Sequence, residues 1–244
     1  MKVTKDITTF FCKQPFIMIE VHETVLDNRK EIGLDKYFSP PWSHVQGKAM
    51  SPSFGLSDNY IFLMGHLFGH FYEGGVGVRF FADMALYIAR YGNELDWEKI
   101  DSIFSRYGLR EIMNNLRLLA LHWFADGDDS DIIDEMGEFV FESGIYGRAT
   151  NTMMHLADDD DTTGGSFFKT IRHLLFLPAS EMRRRSKFLD RFIFLLPLAY
   201  IVRIFKILFK RFGDVCGWLR GASRIDTEKI KKYKAKMRRF GINF

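Results

Sequence analysis

The chain has 244 residues, 47% apolar and 16% aromatic with 25 Phe, so it can bury a real core as one large domain or as a small piece beside a medium one, and global disorder is excluded. Its two cysteines, Cys12 and Cys216, stand far apart with no metal-ligand spacing, which argues against a disulfide framework and fits a reducing cytoplasm. The formal charge of +3 conceals an asymmetry: from Arg183 onward there are 18 Lys and Arg against four Asp and Glu, a balance of +14, which leaves −11 for residues 1–182.

The first residues, MKVTKDITTFF, carry neither a long apolar stretch nor a small-residue cleavage site, so no secretory signal is read there. Ile7 to Phe11 and Phe16 to His22 read as two short strands around a turn at Lys13-Gln14-Pro15. In the second strand Ile17, Ile19 and Val21 share one face, and Met18, Glu20 and His22 share the other. A lone hairpin is marginal in water, so this piece is expected to be the last part of a larger sheet whose earlier strands are absent. Residues 27–57, with Pro40-Pro41 and Pro52, read as an irregular connector.

Helices dominate from there. Ser57 is expected to cap a helix to about Glu73, ended by Gly74-Gly75, and Val78 to Tyr91 follows. Asp96 caps Trp97 to Tyr107, with Gly108 as the stop. Arg110 to Ala125 is amphipathic through Ile112, Leu116, Leu119 and Trp123. Ser130 caps a helix to Ser143, stopped by Gly144. Residues 157–166 (ADDDDTTGGS) read as a solvated loop, and Ser166 caps a helix to Phe176. Pro197 fits the first turn of a helix to Arg211, and Asp226 caps a final basic helix to about Phe240. The longest apolar run, Phe192 to Val202, is about half the roughly 20 residues of a spanning helix and contains Pro197, so no transmembrane anchor is expected.

The pattern predicts a mainly α fold, a multi-helix domain with one small β element confined to residues 1–30. Expected divisions are the β-hairpin piece at 1–30, the connector at 31–56, the helical domain at 57–212 and the basic C-terminal helix at 213–244.

Several motifs, in order, resemble the bacterial uncharacterised nucleotidyltransferase group: PFIMIEVH at 15–22, LSDNYIFLMGHLFGHF at 56–71, GVGVRFFADMALYI at 75–88, LDWEKI at 95–100, HWF at 122–124, ESGIYG at 142–147 and FLPASEMRRRSKFLDRFIFLLPLAYIVR at 176–203. The resemblance spans roughly residues 10–210. It implies a nucleotidyltransferase α/β sheet, of which the hairpin would be a remnant, followed by a helical domain. It also implies a reaction, transfer of a nucleoside monophosphate from a nucleoside triphosphate to an acceptor. In that superfamily a Gly-Ser turn leads into an Asp-x-Asp pair, and a third carboxylate on a neighbouring strand completes a site for two divalent metals, with Mg²⁺ suited to carboxylate and water ligands. Glu20 stands where the third carboxylate would be. Gly165-Ser166 leads instead into FFKTIRHLLF, a helical pattern, so the first two carboxylates are not found here. The chain is therefore expected to be a truncated or degenerate member, the C-terminal part only, and inactive alone.

The residues considered for chemistry are few. Glu20 and His22 share a strand face, as a metal-site carboxylate with a polar neighbour or as a solvated face. His66 and His70 are spaced i, i+4 on one helix face, but Leu67-Phe68-Gly69 between them lacks the Glu of a zinc protease, so core-edge histidines are the plainer reading. Arg79 and Asp83 are also i, i+4, just after a turn with Gly74, Gly75 and Gly77. They form a surface ion pair of about 0.3–0.5 kcal/mol or, by the resemblance, a substrate-binding group together with His66 and His70, in which Arg79 meets phosphate. His66, His70, Arg79 and Asp83 are expected to lie near one another and near the connector from Glu20. Trp97 and Trp123 read as core, and Asp158 to Asp161 as solvated. The helix 229–239, with Tyr233 and Phe240 interleaved, is too little for an RNA-binding assignment. The alternative function is a non-catalytic helical module that binds a protein partner or an anionic surface through Arg183–Arg239.

Overall fold

The computed structural model describes residues 2–4, 7–13, 16–22, 25–26, 33–47, 53–72, 74–127, 130–144, 192–210 and 227–242, with single positions at 151, 154, 179, 182 and 189. Contacts divide the chain into two units, residues 1–23 with 156–230 and residues 24–155 with 231–244. The expected loop at 157–166, the expected helix at 166–176, the acidic run Asp158 to Asp161 and the cap at Asp226 lie outside the described residues.

In the first unit, β1 (Lys2–Thr4), β2 (Ile7–Lys13) and β3 (Phe16–His22) form an antiparallel sheet in that order. β2 and β3 pair along their whole length, from Ile7 opposite His22 to Lys13 opposite Phe16. Their β-branched and aromatic residues suit a pleated surface, so the expected hairpin is present. β1 adds a third strand that its three residues are too few to announce by alternation. The same unit holds a 3-10 turn, Ile193–Leu195, running into α6 (Leu196–Lys210), where Pro197 sits in the first helical turn and its missing N–H costs no helical bond.

The second unit is mainly helical: α1 (Leu56–Tyr72), α2 (Val78–Tyr91), α3 (Trp97–Arg106), α4 (Arg110–Phe124), α5 (Asp131–Ser143) and, from residue 231 on, α7 (Thr227–Arg239). Apolar residues recur every three to four positions and turn inward together. On α1 these are Tyr60, Ile61, Met64, Leu67, Phe68 and Phe71, and on α4 they are Ile112, Met113, Leu116, Leu119 and Ala120. α7 sets Tyr233 and Met237, then Phe240 and Ile242, in the same core, with Lys231, Lys232, Arg238 and Arg239 exposed and Lys234 buried. Asn115 Nδ2 donates to the Phe240 carbonyl at 3.2 Å, and Arg239 pairs with Glu135 at 2.9 Å, so the end of the chain closes on α4 and α5.

Three local expectations are corrected. The β structure is not confined to residues 1–30, because Val45–Gln46 (β4) pairs with Ser53–Phe54 (β5) inside the connector; two residues per strand are too short to show a period. Ser57 does not cap α1. The helix starts at Leu56 with the Gly55 carbonyl accepting from Asn59 N, and the Ser57 hydroxyl accepts instead from the backbone of Asp96 at 2.9 Å. Ser130 stands at the N-cap of α5 without a side-chain capping bond. Asp96 does cap α3, accepting from Lys99 N at 2.9 Å, and Gly108 and Gly144 follow α3 and α5 at positive φ, as their roles as stops require.

Candidate functional site

The inward stripe of α1 leaves Phe62, His66 and His70, each four residues apart, on another face of the helix. His66 is exposed and His70 half-buried. Phe62 stacks on His66 with ring centroids 6.1 Å apart, and the two histidines meet edge to face at 4.7 Å. Phe80, in the first turn of α2, faces both, at 5.5 Å from His66 and 5.2 Å from His70. The guanidinium of Arg79 lies 5.9 Å from the Phe80 ring and is itself exposed. So the structure gathers His66, His70 and Arg79 around one phenylalanine. Asp83, one turn further along α2, is exposed and is not among the groups that meet at Phe80. No ion pair joins it to Arg79 among the described residues.

The turn between α1 and α2 sets this geometry. Gly74, Gly75 and Gly77 are all buried, and Gly74 has φ 117°, a value that L side chains rarely adopt. The Gly74 carbonyl accepts from the buried amide of Asn151 at 2.9 Å, and the same amide reaches Ser143 Oγ at 3.0 Å. The turn is thus clamped from outside the two helices it joins.

A second constellation has Asp58 at its centre. Its carboxylate, buried in the first turn of α1, accepts from Tyr37 Oη at 2.7 Å and from Lys99 Nζ at 2.5 Å, and His44 Nδ1 lies 3.1 Å from its other oxygen. An ionised carboxylate only accepts, so His44 carries its proton on Nδ1. Burial alone would raise the Asp58 pKa. The bonds from Lys99, Tyr37 and His44 and the Lys99 charge outweigh it and hold the carboxyl below the usual range. Burial likewise would lower Lys99, but Asp58 raises it on balance.

This arrangement ties two 3-10 turns of the connector, Leu34–Lys36 and Pro41–His44, to α1 and α3. It also supports the histidine stripe. Phe38, between those turns, and Phe54 of β5 both lie against Phe62, at 6.4 and 6.0 Å, and Phe62 stacks on His66. The sequence reading missed Asp58. The available signal was an acidic residue in the first turn of a helix, where the dipole favours it; its three partners lie 14 to 41 residues away and leave no local trace.

Glu20 lies on β3, opposite Thr9 of β2, and His22 lies opposite Ile7. Glu20 belongs to the first unit, and His66, His70, Arg79 and Asp83 to the second.

Residues 5–125 match the family model described as an uncharacterised nucleotidyltransferase. Over that segment the chain is similar to the nucleotidyltransferase family. No curated protein and no solved structure matches it. The matched segment takes in both Glu20 and the α1–α2 residues.

The metal implied by such a family can be tested on the donors present. Strands β1 to β3 carry a single acidic residue, Glu20. Among the described residues no group of three or more His, Cys, Asp or Glu is placed to hold a metal ion. Two-metal chemistry needs several converging carboxylates, so the described residues do not fit a two-Mg²⁺ centre.

Proposed function

We propose that this chain serves nucleotidyl transfer, the movement of a nucleoside monophosphate from a triphosphate to an acceptor, and that its helical unit supplies the substrate side of that reaction. The family match across residues 5–125 carries the reading, because one segment holds both the Glu20 strand and the α1–α2 group. In this reading Arg79 binds phosphate, its exposed guanidinium offering a fork of donors that matches phosphate oxygens. His66 and His70 supply ring nitrogens at the same surface, and the Phe80 ring beside them offers a π-face for a planar base. Asp83 borders this surface on α2. Glu20 is a carboxylate of the metal-binding side, insufficient alone to hold two ions.

The chain by itself is therefore expected to transfer no nucleotide. The test is incubation of the purified chain with labelled ATP, GTP, CTP or UTP, Mg²⁺ or Mn²⁺, and a lysate as acceptor source. Label transfer that disappears in Glu20→Ala would show a complete centre and overturn the reading of Glu20 as a single, insufficient ligand.

A further inference from the structure

Helix α6 turns its apolar side outward. Leu198, Ile201 and Val202 recur at i, i+3 and i+4, which places them on one face, and they are 54%, 51% and 45% exposed. Phe192, Ile193 and Phe194, at the turn that leads into the helix, are exposed as well. Among the described side chains no charged residue interrupts this face. On the other side Ala199, Tyr200, Arg203 and Ile204 are less exposed. A helix packed only within a water-soluble unit has the opposite polarity. A contiguous exposed apolar patch of this kind marks an interaction surface.

The length and the charge around the helix say what covers it. Fifteen residues of helix reach about 22 Å, short of the roughly 30 Å hydrocarbon core of a bilayer. Among the described residues no helix is long and apolar enough to cross a membrane. The surrounding sequence, residues 183–211, holds nine Lys and Arg against one Asp. A second copy of the chain seated on this face would bring two such segments together and be repelled. An anionic bilayer satisfies both features at once, taking the apolar face among its acyl chains and the cations at its headgroups. Each basic residue near such a surface strengthens binding about fivefold.

We propose that α6 and the turn before it lie in the plane of an anionic phospholipid surface, with Phe194 of the turn and Leu198, Ile201 and Val202 of the helix inserted and the flanking Lys and Arg at the headgroups. This docking is independent of the nucleotide chemistry and is measured without nucleotide.

The experiment is flotation of the full chain with vesicles of phosphatidylcholine alone and of phosphatidylcholine with phosphatidylglycerol. The expected result is co-flotation with the anionic vesicles only, weakened by added salt. Leu198→Asp with Ile201→Asp should reduce binding about a hundredfold while circular dichroism stays unchanged. Lys206→Glu with Lys210→Glu should also reduce it, and this second pair keeps the test decisive if the first variant misfolds. No binding, equal binding to neutral vesicles, or wild-type binding by both variants would overturn the proposal. So would a lipid-free dimer, seen by ultracentrifugation, that Leu198→Asp with Ile201→Asp dissociates.

Discussion

Lys99 Nζ lies 2.5 Å from Asp58 Oδ1, joining α3 to the first turn of α1 across 41 residues of sequence. The aspartate side chain is 9% exposed and the lysine 41%. Removing the charge from Asp58 leaves Tyr37, His44 and Lys99 with one poor acceptor. A fully buried broken pair costs about 3–5 kcal/mol, but Lys99 can turn to water, so Asp58→Asn is expected to cost about 2 kcal/mol. Chemical denaturation of the two proteins measures it. A change below about 0.5 kcal/mol would show the constellation to be a surface ion pair of little consequence.

The same carboxylate gives a pH dependence. Its folded pKa lies below that of an ordinary aspartate, so its contribution is present above the ordinary value and is lost as pH falls through the folded one. The stability gap between the wild type and Asp58→Asn should therefore narrow as pH is lowered from about 5 to about 3. A gap that widens on acidification would reverse the assigned direction.

The sequence made the helices legible because their cores repeat locally. The stripe on α4 and the Asp96 cap are examples in which every determinant lies within a few residues. His66 and His70 were readable as one face for the same reason. What escaped was set by distant partners. Ser57 looked like a cap, yet its hydroxyl serves Asp96, and Asp58 beside it depends on Tyr37, His44 and Lys99. Phe80, the ring on which His66, His70 and Arg79 converge, read as one apolar residue among many, since only the turn at Gly74–Gly77 brings it to α1. The outward face of α6 was visible as an apolar run, but a run has no sidedness until the helix is placed.

The Asn151 clamp makes a test of that turn. Asn151→Ala leaves the Gly74 carbonyl buried without its donor, at an expected cost of about 1–3 kcal/mol in denaturant unfolding. Because the turn carries Arg79 and Phe80, the variant should also expose amides of residues 74–80 to faster hydrogen exchange. Unchanged exchange there would mean that the turn holds itself.

Two glycines with positive φ should respond differently to alanine. At Gly241 an added Cβ would lie 2.7 Å from Glu111 Cγ and 2.8 Å from the backbone nitrogen of Ile112. At Gly108 it would meet nothing within 4 Å. Gly108→Ala should cost only the backbone strain, about 1–2 kcal/mol, whereas Gly241→Ala adds a clash with α4 of about 1–3 kcal/mol more. Thermal melts of the two variants decide it, and equal losses would count against the packing of the chain end on α4.

The central proposal is that the α1–α2 surface binds the triphosphate through Arg79. Calorimetric titration of ATP into the wild type and into Arg79→Ala, with Asp83→Ala as a neighbour that keeps the guanidinium, tests it most directly. The account predicts measurable binding by the wild type, about tenfold weaker binding by Arg79→Ala, and near wild-type binding by Asp83→Ala. No binding by the wild type, or equal affinity in Arg79→Ala, would contradict it.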